Sequence, residues 1–432
     1  MYRQGGHGSA MSATVALEID TRPSEYTMSR EFTGQLLDRQ LHRPLFREAG
    51  PDIVPDLLSI HDQPGSKEWI FRIADDARWN GGDVVTAHDV ARRMAKVVVL
   101  PHMAWTRALL SACRVHDDRT LSMTTRQKVV LLDRILANPV FSPRRPGGSS
   151  GSYRLTRVQR NRTILVPTGR TRGSVIELVT TSSRAVGRRQ FREGRLDIGW
   201  GIGVPPSFWS VDDPGPFPES QPLDMHVVVA AGRGLPQTTS RQILSRCMLS
   251  EGTPLGLNPT LTRFASEPVR QSAAAAALPA PSERWPLYFT DFPPNREIAT
   301  ELARSLGNRL VPTVVPYEDF ISGAGLSDGF SLQIHSSHFP DDVGLLVESA
   351  VVANGSVPGA EAIRELCGAM WRTEDLVERR QIAKNVERPL DVLLRRRVLG
   401  RMLTRFRSEA PLNVPRSGWF DFSLLQPRKA NK

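Results

Sequence analysis

Two imidazoles and two carboxylates fall within the eight residues 335–342 of the segment IHSSHFPDDVGLL (334–346): His335, His338, Asp341 and Asp342. An imidazole takes up and releases a proton near neutrality, so His338 is the chain's candidate general base. The plainer reading makes His335 and His338 hydrogen-bonded residues of a surface or a cleft wall, and spacing alone does not choose between the two. Trp200, next to the strand carrying Asp197, is a candidate ligand-stacking aromatic. Trp419-Phe420 in GWFDF reads as packing, and Asp421 as a structural hydrogen-bond acceptor. GWGIG (199–203) has glycines but not the GxGxxG order, and no acid about twenty residues on, so it is not a nucleotide loop. GxxxxGK[ST], HExxH and GxSxG are all absent. Cys113, Cys247 and Cys367 lie far apart without CxxC or Cys/His spacing, so neither a metal nor a cofactor is expected.

Charge supplies a second candidate site. The formal net charge is +11, and 50 of the 56 basic residues are arginine. Codon bias can raise arginine overall, but it does not explain the distribution. Residues 144–195 hold thirteen arginines against Glu177 and Glu193. A second cluster comprises Arg395, Arg396, Arg397, Arg401, Arg405 and Arg407. Clustered guanidiniums without balancing acids are the footprint of a polyanion partner, or else a strongly solvated surface. The candidate phosphate contacts are Arg144, Arg145, Arg154, Arg157, Arg160, Arg162, Arg188, Arg189 and Arg192.

The elements that must position these residues follow from periodicity and turn chemistry. VALEI from Thr14 reads as a strand, 31–47 as an amphipathic helix, and Trp69–Ile73 as a strand entering a turn at Trp79-Asn80-Gly81-Gly82. Thr86 is the expected N-cap of a helix over 86–98, with Asp89 as its capping-box acid. Strands are expected around 113–124, 153–158, 162–166, 175–181 and 196–199, with a helix at 184–193. The proline-rich stretch 205–224 marks a boundary, and a strand at 224–231 opens a second unit. There, Ile298, Leu302 and Leu306 form the apolar stripe of a helix over 295–307. Helices at 359–371 and 374–397 follow, and SGWFDFSLL (417–425) reads as a final strand. A hydrophobic share of 40% supports substantial cores, and 432 residues suggest two or three folding units.

The run WIFRIADDARWNGGDVVTAHDVARRM (69–94) resembles the hallmark of the peptide/nickel-type solute-binding proteins of ABC importers. LLDRQLHRPLFREAGPDIVPDLL (36–58), GSYRLTRVQRNRTILV (151–166) and FREGRLDIGWG (191–201) resemble further elements of that family. The resemblance implies an α/β, two-lobed periplasmic-binding-protein-like fold (type II, peptide-binding cluster) with mixed sheets and a central cleft. It divides the chain into a disordered tail over 1–12, lobe I over 13–223, lobe II over 224–405, and a return to lobe I over 406–432. LYFTDFPPNREIATELARSLGNRLVPTVVPYEDF (287–320) and SGWFDFSLL look like the C-terminal half of the sugar-phosphate-stress transcriptional regulator group, here without its DNA-binding module. In peptide-binding members an aspartate at the position of His338 anchors the ligand's ammonium. Asp341 or Asp342 would take that part here, with His335 and Trp200 as further ligand contacts.

Three readings follow from the resemblance together with the charge. One is an importer's solute receptor. Another is a ligand-sensing protein related to the stress regulators. The favoured expectation is an enzyme, an aminoacyl-tRNA-dependent aminoacyltransferase of the valanimycin-pathway kind. It would pass the aminoacyl group to a small amine or hydroxylamine, with His338 as base and the arginines gripping tRNA. MYRQGGHGSAMSATVALEID lacks the apolar core of a secretory signal, and the cysteines are odd in number, so a cytoplasmic setting is expected. No apolar run is long enough to cross a membrane, so no membrane contact is expected.

Overall fold

The computed structural model describes residues 13–19, 32–49, 52–65, 67–100, 103–169, 173–204, 221–249, 257–258, 283–292, 294–323, 325–336, 352, 359–408, 412–415 and 417–426. The first elements are β1 (Thr14–Ile19), α1 (Phe32–Leu41), β2 (Phe46–Ala49), β3 (Asp52–Pro55), β4 (Leu58–Gly65), β5 (Glu68–Ile73), α2 (Ala87–Val97), α3 (Ala104–Leu109), β6 (Leu110–Val115), β7 (Thr120–Thr125) and α4 (Leu132–Leu136). Then come β8 (Tyr153–Val158), β9 (Arg162–Pro167), β10 (Val175–Thr180), α5 (Arg184–Arg192), β11 (Ile198–Gly199), β12 (Gln221–Ala231), α6 (Gln237–Leu244) and β13 (Leu257–Asn258). The remainder is β14 (Trp285–Phe289), α7 (Asn295–Ser305), β15 (Leu310–Val314), α8 (Tyr317–Ser322), β16 (Phe330–Ser336), α9 (Glu361–Arg372), α10 (Leu376–Leu393), β17 (Arg396–Thr404) and β18 (Arg407–Ser408).

Two mixed six-stranded sheets carry the architecture. The first runs β18-β11-β1-β10-β9-β8, and the second β13-β17-β12-β16-β14-β15. A four-stranded sheet, β4-β5-β7-β6, and the β2–β3 hairpin complete the pairing. Both large sheets feed one apolar cluster, in which Val15, Leu17 and Leu178 meet Val227, Val229, Leu287 and Ile298. The four-stranded sheet builds a separate core, where Phe71, Met94 and Leu121 join Trp371 of α9 and Val386 of α10. Sequence order puts α9 and α10 in 224–405, yet their apolar faces complete the core of residues 45–141.

Local chemistry explains the well-anticipated elements. Asp89 accepts from Thr86 N at 3.0 Å and from Thr86 Oγ1 at 3.2 Å, closing the first turn of α2. Ile298, Leu302 and Leu306 are all buried, as the stripe requires. Three expectations fail. The helix expected over 31–47 ends at Leu41, and Phe46–Ala49 forms β2. The helix expected to reach 397 stops at Leu393, because Arg395 adopts φ 51°, a left-handed conformation that ends helices, and β17 begins at once. SGWFDFSLL is not a strand: Gly418 turns with φ 82°, and Phe422–Leu424 forms a short 3₁₀ turn. That segment docks on α1 instead, where the Gln40 amide donates to Phe420 O at 3.0 Å and accepts from Phe422 N at 3.0 Å. Asp421 caps the turn, accepting from Ser423 N at 2.8 Å.

Candidate ligand site at the sheet crossings

The glycines of GWGIG acquire a purpose here. Residues 199–204 leave the first sheet beside residues 402–408, which return to it. Arg405 N donates to Gly201 O at 2.7 Å and Gly203 N to Leu403 O at 3.1 Å. Ile202 bridges Thr404, and Gly199 of β11 pairs with Arg407 of β18. The crossings therefore form a two-stranded ribbon. At Gly201 an added Cβ would lie 2.1 Å from Phe406 N and 2.3 Å from Arg405 C, so only glycine allows this backbone contact.

On the first-sheet side of the ribbon lies a buried carboxylate. Glu18, near the end of β1, accepts from Thr181 Oγ1 at 2.7 Å and from Trp200 N at 3.0 Å. α5 seats its Gly187 directly on that carboxylate, where a Cβ would fall 1.6 Å from Oε1. Arg407 is fully buried, its guanidinium 5.8 Å from the centre of the Phe191 ring of α5. Trp200 packs edge-on against Phe32 at 6.0 Å and Phe406 at 5.4 Å, and Phe406 against Phe420 at 5.2 Å. Trp200 is thus a core residue here, 4% exposed, rather than a ring offered to a ligand.

On the second-sheet side, four polar residues are register partners across adjacent strands. Asn258 of β13 opposes Arg401 of β17, Arg401 opposes His226 of β12, and His226 opposes His335 of β16. Directly opposed residues share a face of a sheet, so Arg401 and His226 lie side by side. Both are buried, and Arg401 Nε donates to Leu223 O at 3.0 Å. The row sits three residues before Thr404, where the ribbon begins. His226 escaped the sequence reading, and Arg401 entered it only within the second arginine cluster, because their alignment depends on strand register. The only hint was an imidazole inside the apolar run DMHVVVAA.

His335 is the backbone register partner of His226 at the end of β16, whereas His338, Asp341 and Asp342 lie outside the described residues. The candidate arginines divide. Arg144 is half-buried and pairs with Asp38. Arg145 pairs with Asp83 at 2.7 Å and lies over Trp79 at 4.8 Å. Both hold the fold together away from the β8–β9 hairpin. Arg162 pairs with Glu177 at 2.6 Å, and Arg189 reaches Glu193 at 4.0 Å. Arg154, Arg157, Arg160 and Arg192 are exposed, and Arg188 is half-buried. The second arginine cluster is largely internal: Arg396 pairs with Asp391 at 2.7 Å, and Arg395 Nη2 donates to Leu235 O at 2.6 Å.

No family model matches the chain, and no curated protein matches it in sequence. Solved structures do match. The Escherichia coli murein tripeptide binding protein MppA superposes with a TM-score of 0.77 at 14% identity, over 95% of this chain and 97% of that one. NikA from Brucella suis, solved in complex with Fe(III)-EDTA, gives 0.74 at 13% identity, over 96% and 100%. The pheromone receptor PrgZ gives 0.78 at 13% identity, over 97% and 100%. These neighbours are binding proteins, which overturns the expectation of an aminoacyltransferase: neither a catalytic His338 nor an aminoacyl-tRNA substrate finds support among them. The chain has the two-lobed, type II periplasmic-binding-protein fold of the peptide-binding cluster.

Proposed function

We propose that the protein is a non-enzymatic receptor that captures a peptide or amino-acid-like ligand between its lobes and releases it unchanged. The observation that carries this reading is the crossing ribbon. Two hydrogen-bonded segments, 199–204 and 402–408, join the large sheets, with the buried Arg401–His226 pair on one side and Glu18 on the other. Small backbone rotations in such a ribbon swing one sheet against the other, the motion by which two lobes close on a small molecule. The lobes of the proposal span 13–223 with 406–432, and 224–405 without α9 and α10, whose apolar faces belong with residues 45–141. The murein tripeptide named for MppA and the peptide binding named for PrgZ support a peptide-like ligand class.

The same capture step serves an ABC importer outside the cytoplasmic membrane or a ligand sensor inside it. Cys113, Cys247 and Cys367 are all unbridged, which suits the reducing cytoplasm, and that location is part of the proposal. Fractionation of cells carrying the natively tagged protein decides between the two settings. The ligand class is tested by thermal unfolding against a library of peptides two to five residues long. A ligand at a hundred times its Kd stabilises the folded state by about 2.7 kcal/mol, a measurable rise in Tm. A library that leaves Tm unmoved throughout refutes peptide capture.

A further inference from the structure

One face of the first sheet gathers the arginines that the crossings do not use. Side chains alternate along strands, so register assigns each to a face. Ala16, Glu18 and Val179 point toward α5, packing with Phe191 and Gly187. Glu177 shares that face, because it opposes Ala16, and it also opposes Ile164 of β9. Arg157 opposes Ile164 and Arg154 opposes Val166, across a bulge that restores the alternation. Arg154, Arg157 and Arg162 therefore lie on the same side of the sheet as α5, with its Arg184, Arg188, Arg189 and Arg192. Arg160 sits in the turn between β8 and β9.

The described residues from 153 to 195 hold nine arginines against Glu177 and Glu193. Those two carboxylates are engaged by Arg162, Arg189 and Arg195. No carboxylate among the described residues pairs with Arg154, Arg157 or Arg160, all three exposed on or beside the edge strand β8. The exposed large apolar residue of the hairpin, Leu155, opposes Leu165 and so belongs to the other face. On the arginine face the apolar side chains of Ile164 and Val166 are half-buried between the arginines, and among the described residues it offers neither a large, fully exposed apolar side chain to enter a lipid layer nor an exposed aromatic to stack on a base.

We propose that this face, built by the β8–β9 hairpin and α5, binds the phosphate backbone of a nucleic acid without reading its sequence. Guanidinium forks match phosphate oxygens in pairs, and a polyanion satisfies many of them at once. The lack of large, fully exposed apolar and aromatic side chains favours a hydrophilic backbone over a bilayer or an unstacked strand. The interaction is independent of the ligand between the lobes.

The test measures binding of a fluorescent twenty-base-pair DNA duplex of random sequence across a salt series, for three proteins. These are the native chain, the variant Arg154→Gln/Arg157→Gln/Arg160→Gln, and a charge-matched control, Arg107→Gln/Arg114→Gln/Arg241→Gln, whose sites are also exposed. The expected result is salt-sensitive binding by the native chain and the control. The hairpin variant should bind at least tenfold more weakly, with a log–log salt slope shallower by about 2–3, since each phosphate that a guanidinium neutralises adds about 0.9 to the slope. An unchanged Tm for both variants shows that the fold is intact. Equal losses in the two variants would make the effect one of net charge and overturn the proposal, as would binding too weak to titrate. Anionic phospholipid vesicles serve as the competing surface: vesicle binding that is stronger than duplex binding and abolished in the hairpin variant would reassign the face to a membrane and also overturn it.

Discussion

The two arginine clusters have the same composition and opposite fates. Arg154, Arg157 and Arg160 are exposed, whereas Arg396, Arg401 and Arg407 are buried in or beside the strands that join the large sheets. Composition does not separate them; register and connectivity do. In the first cluster β8 is an edge strand, so its arginines meet water on a sheet face that α5 leaves uncovered. In the second, β17 lies between β13 and β12, inside the sheet, and its charges must find internal acceptors. Asp391 serves Arg396 and the Leu223 carbonyl serves Arg401. A run of like charges is thus a surface signal only where the strand beneath it is an edge.

If that contrast is right, the largest effect comes from the internal cluster. Replacing Arg407 by alanine empties a fully buried site against Phe191. The expected loss is about 2–5 kcal/mol from the cavity, read from urea unfolding. A loss below about 1 kcal/mol would dissolve the distinction between the clusters. Gly187→Ala comes next. Its methyl must displace the Glu18 carboxylate, which stands 1.6 Å from the ideal Cβ position. A cost of about 1–3 kcal/mol is expected from overpacking. Adding Glu18→Ala to that variant should recover part of it, since the clash is with that one side chain, although Trp200 N then loses an acceptor.

A third effect depends on pH. His42 has its pKa lowered from 6.5 to about 3, first by burial and then by the nearby charges of Arg144 and Arg93. In the unfolded chain the same imidazole takes up its proton around its ordinary value. Between those limits the unfolded state binds more protons, so stability is full above pH 6.5 and falls as pH drops toward 3, by about 1.4 kcal/mol per unit from this residue alone. His42→Gln should flatten the fall in Tm over that window, and an unchanged acid limb would show that His42 accepts a proton in the fold. The smallest effect belongs to the exposed cluster: each glutamine at Arg154, Arg157 or Arg160 should change folding stability by no more than about 0.5 kcal/mol. A larger destabilisation would mean that the hairpin charges serve the fold.

Legibility followed the range over which each feature is determined. α2 was readable because its cap lies within the helix's own first turn, at Thr86 and Asp89. The β8–β9 hairpin and α5 were readable for the same reason, α5 opening on Ser183, whose Oγ accepts from Val186 N at 3.3 Å. β17 was not, because a strand of arginines looks solvated until its buried acceptors are known. GWGIG could be excluded as a nucleotide loop but not explained, since the backbone that Gly201 touches lies some two hundred residues later, at Arg405 and Phe406. SGWFDFSLL alternates in size like a strand, yet its backbone groups are satisfied by the Gln40 amide rather than by a neighbouring strand. At the sheet crossings, the alignment of Arg401 with His226 was hidden because it depends on strand register. The enzymatic expectation failed because a titratable imidazole beside a basic surface is equally compatible with binding alone.

The account rests on capture without chemistry, and equilibrium dialysis of the full chain against a random tripeptide mixture addresses it most directly. The account predicts that about one peptide per chain is retained and recovered with its covalent structure intact. Peptides recovered in altered form, or none retained above the control chamber, would contradict it.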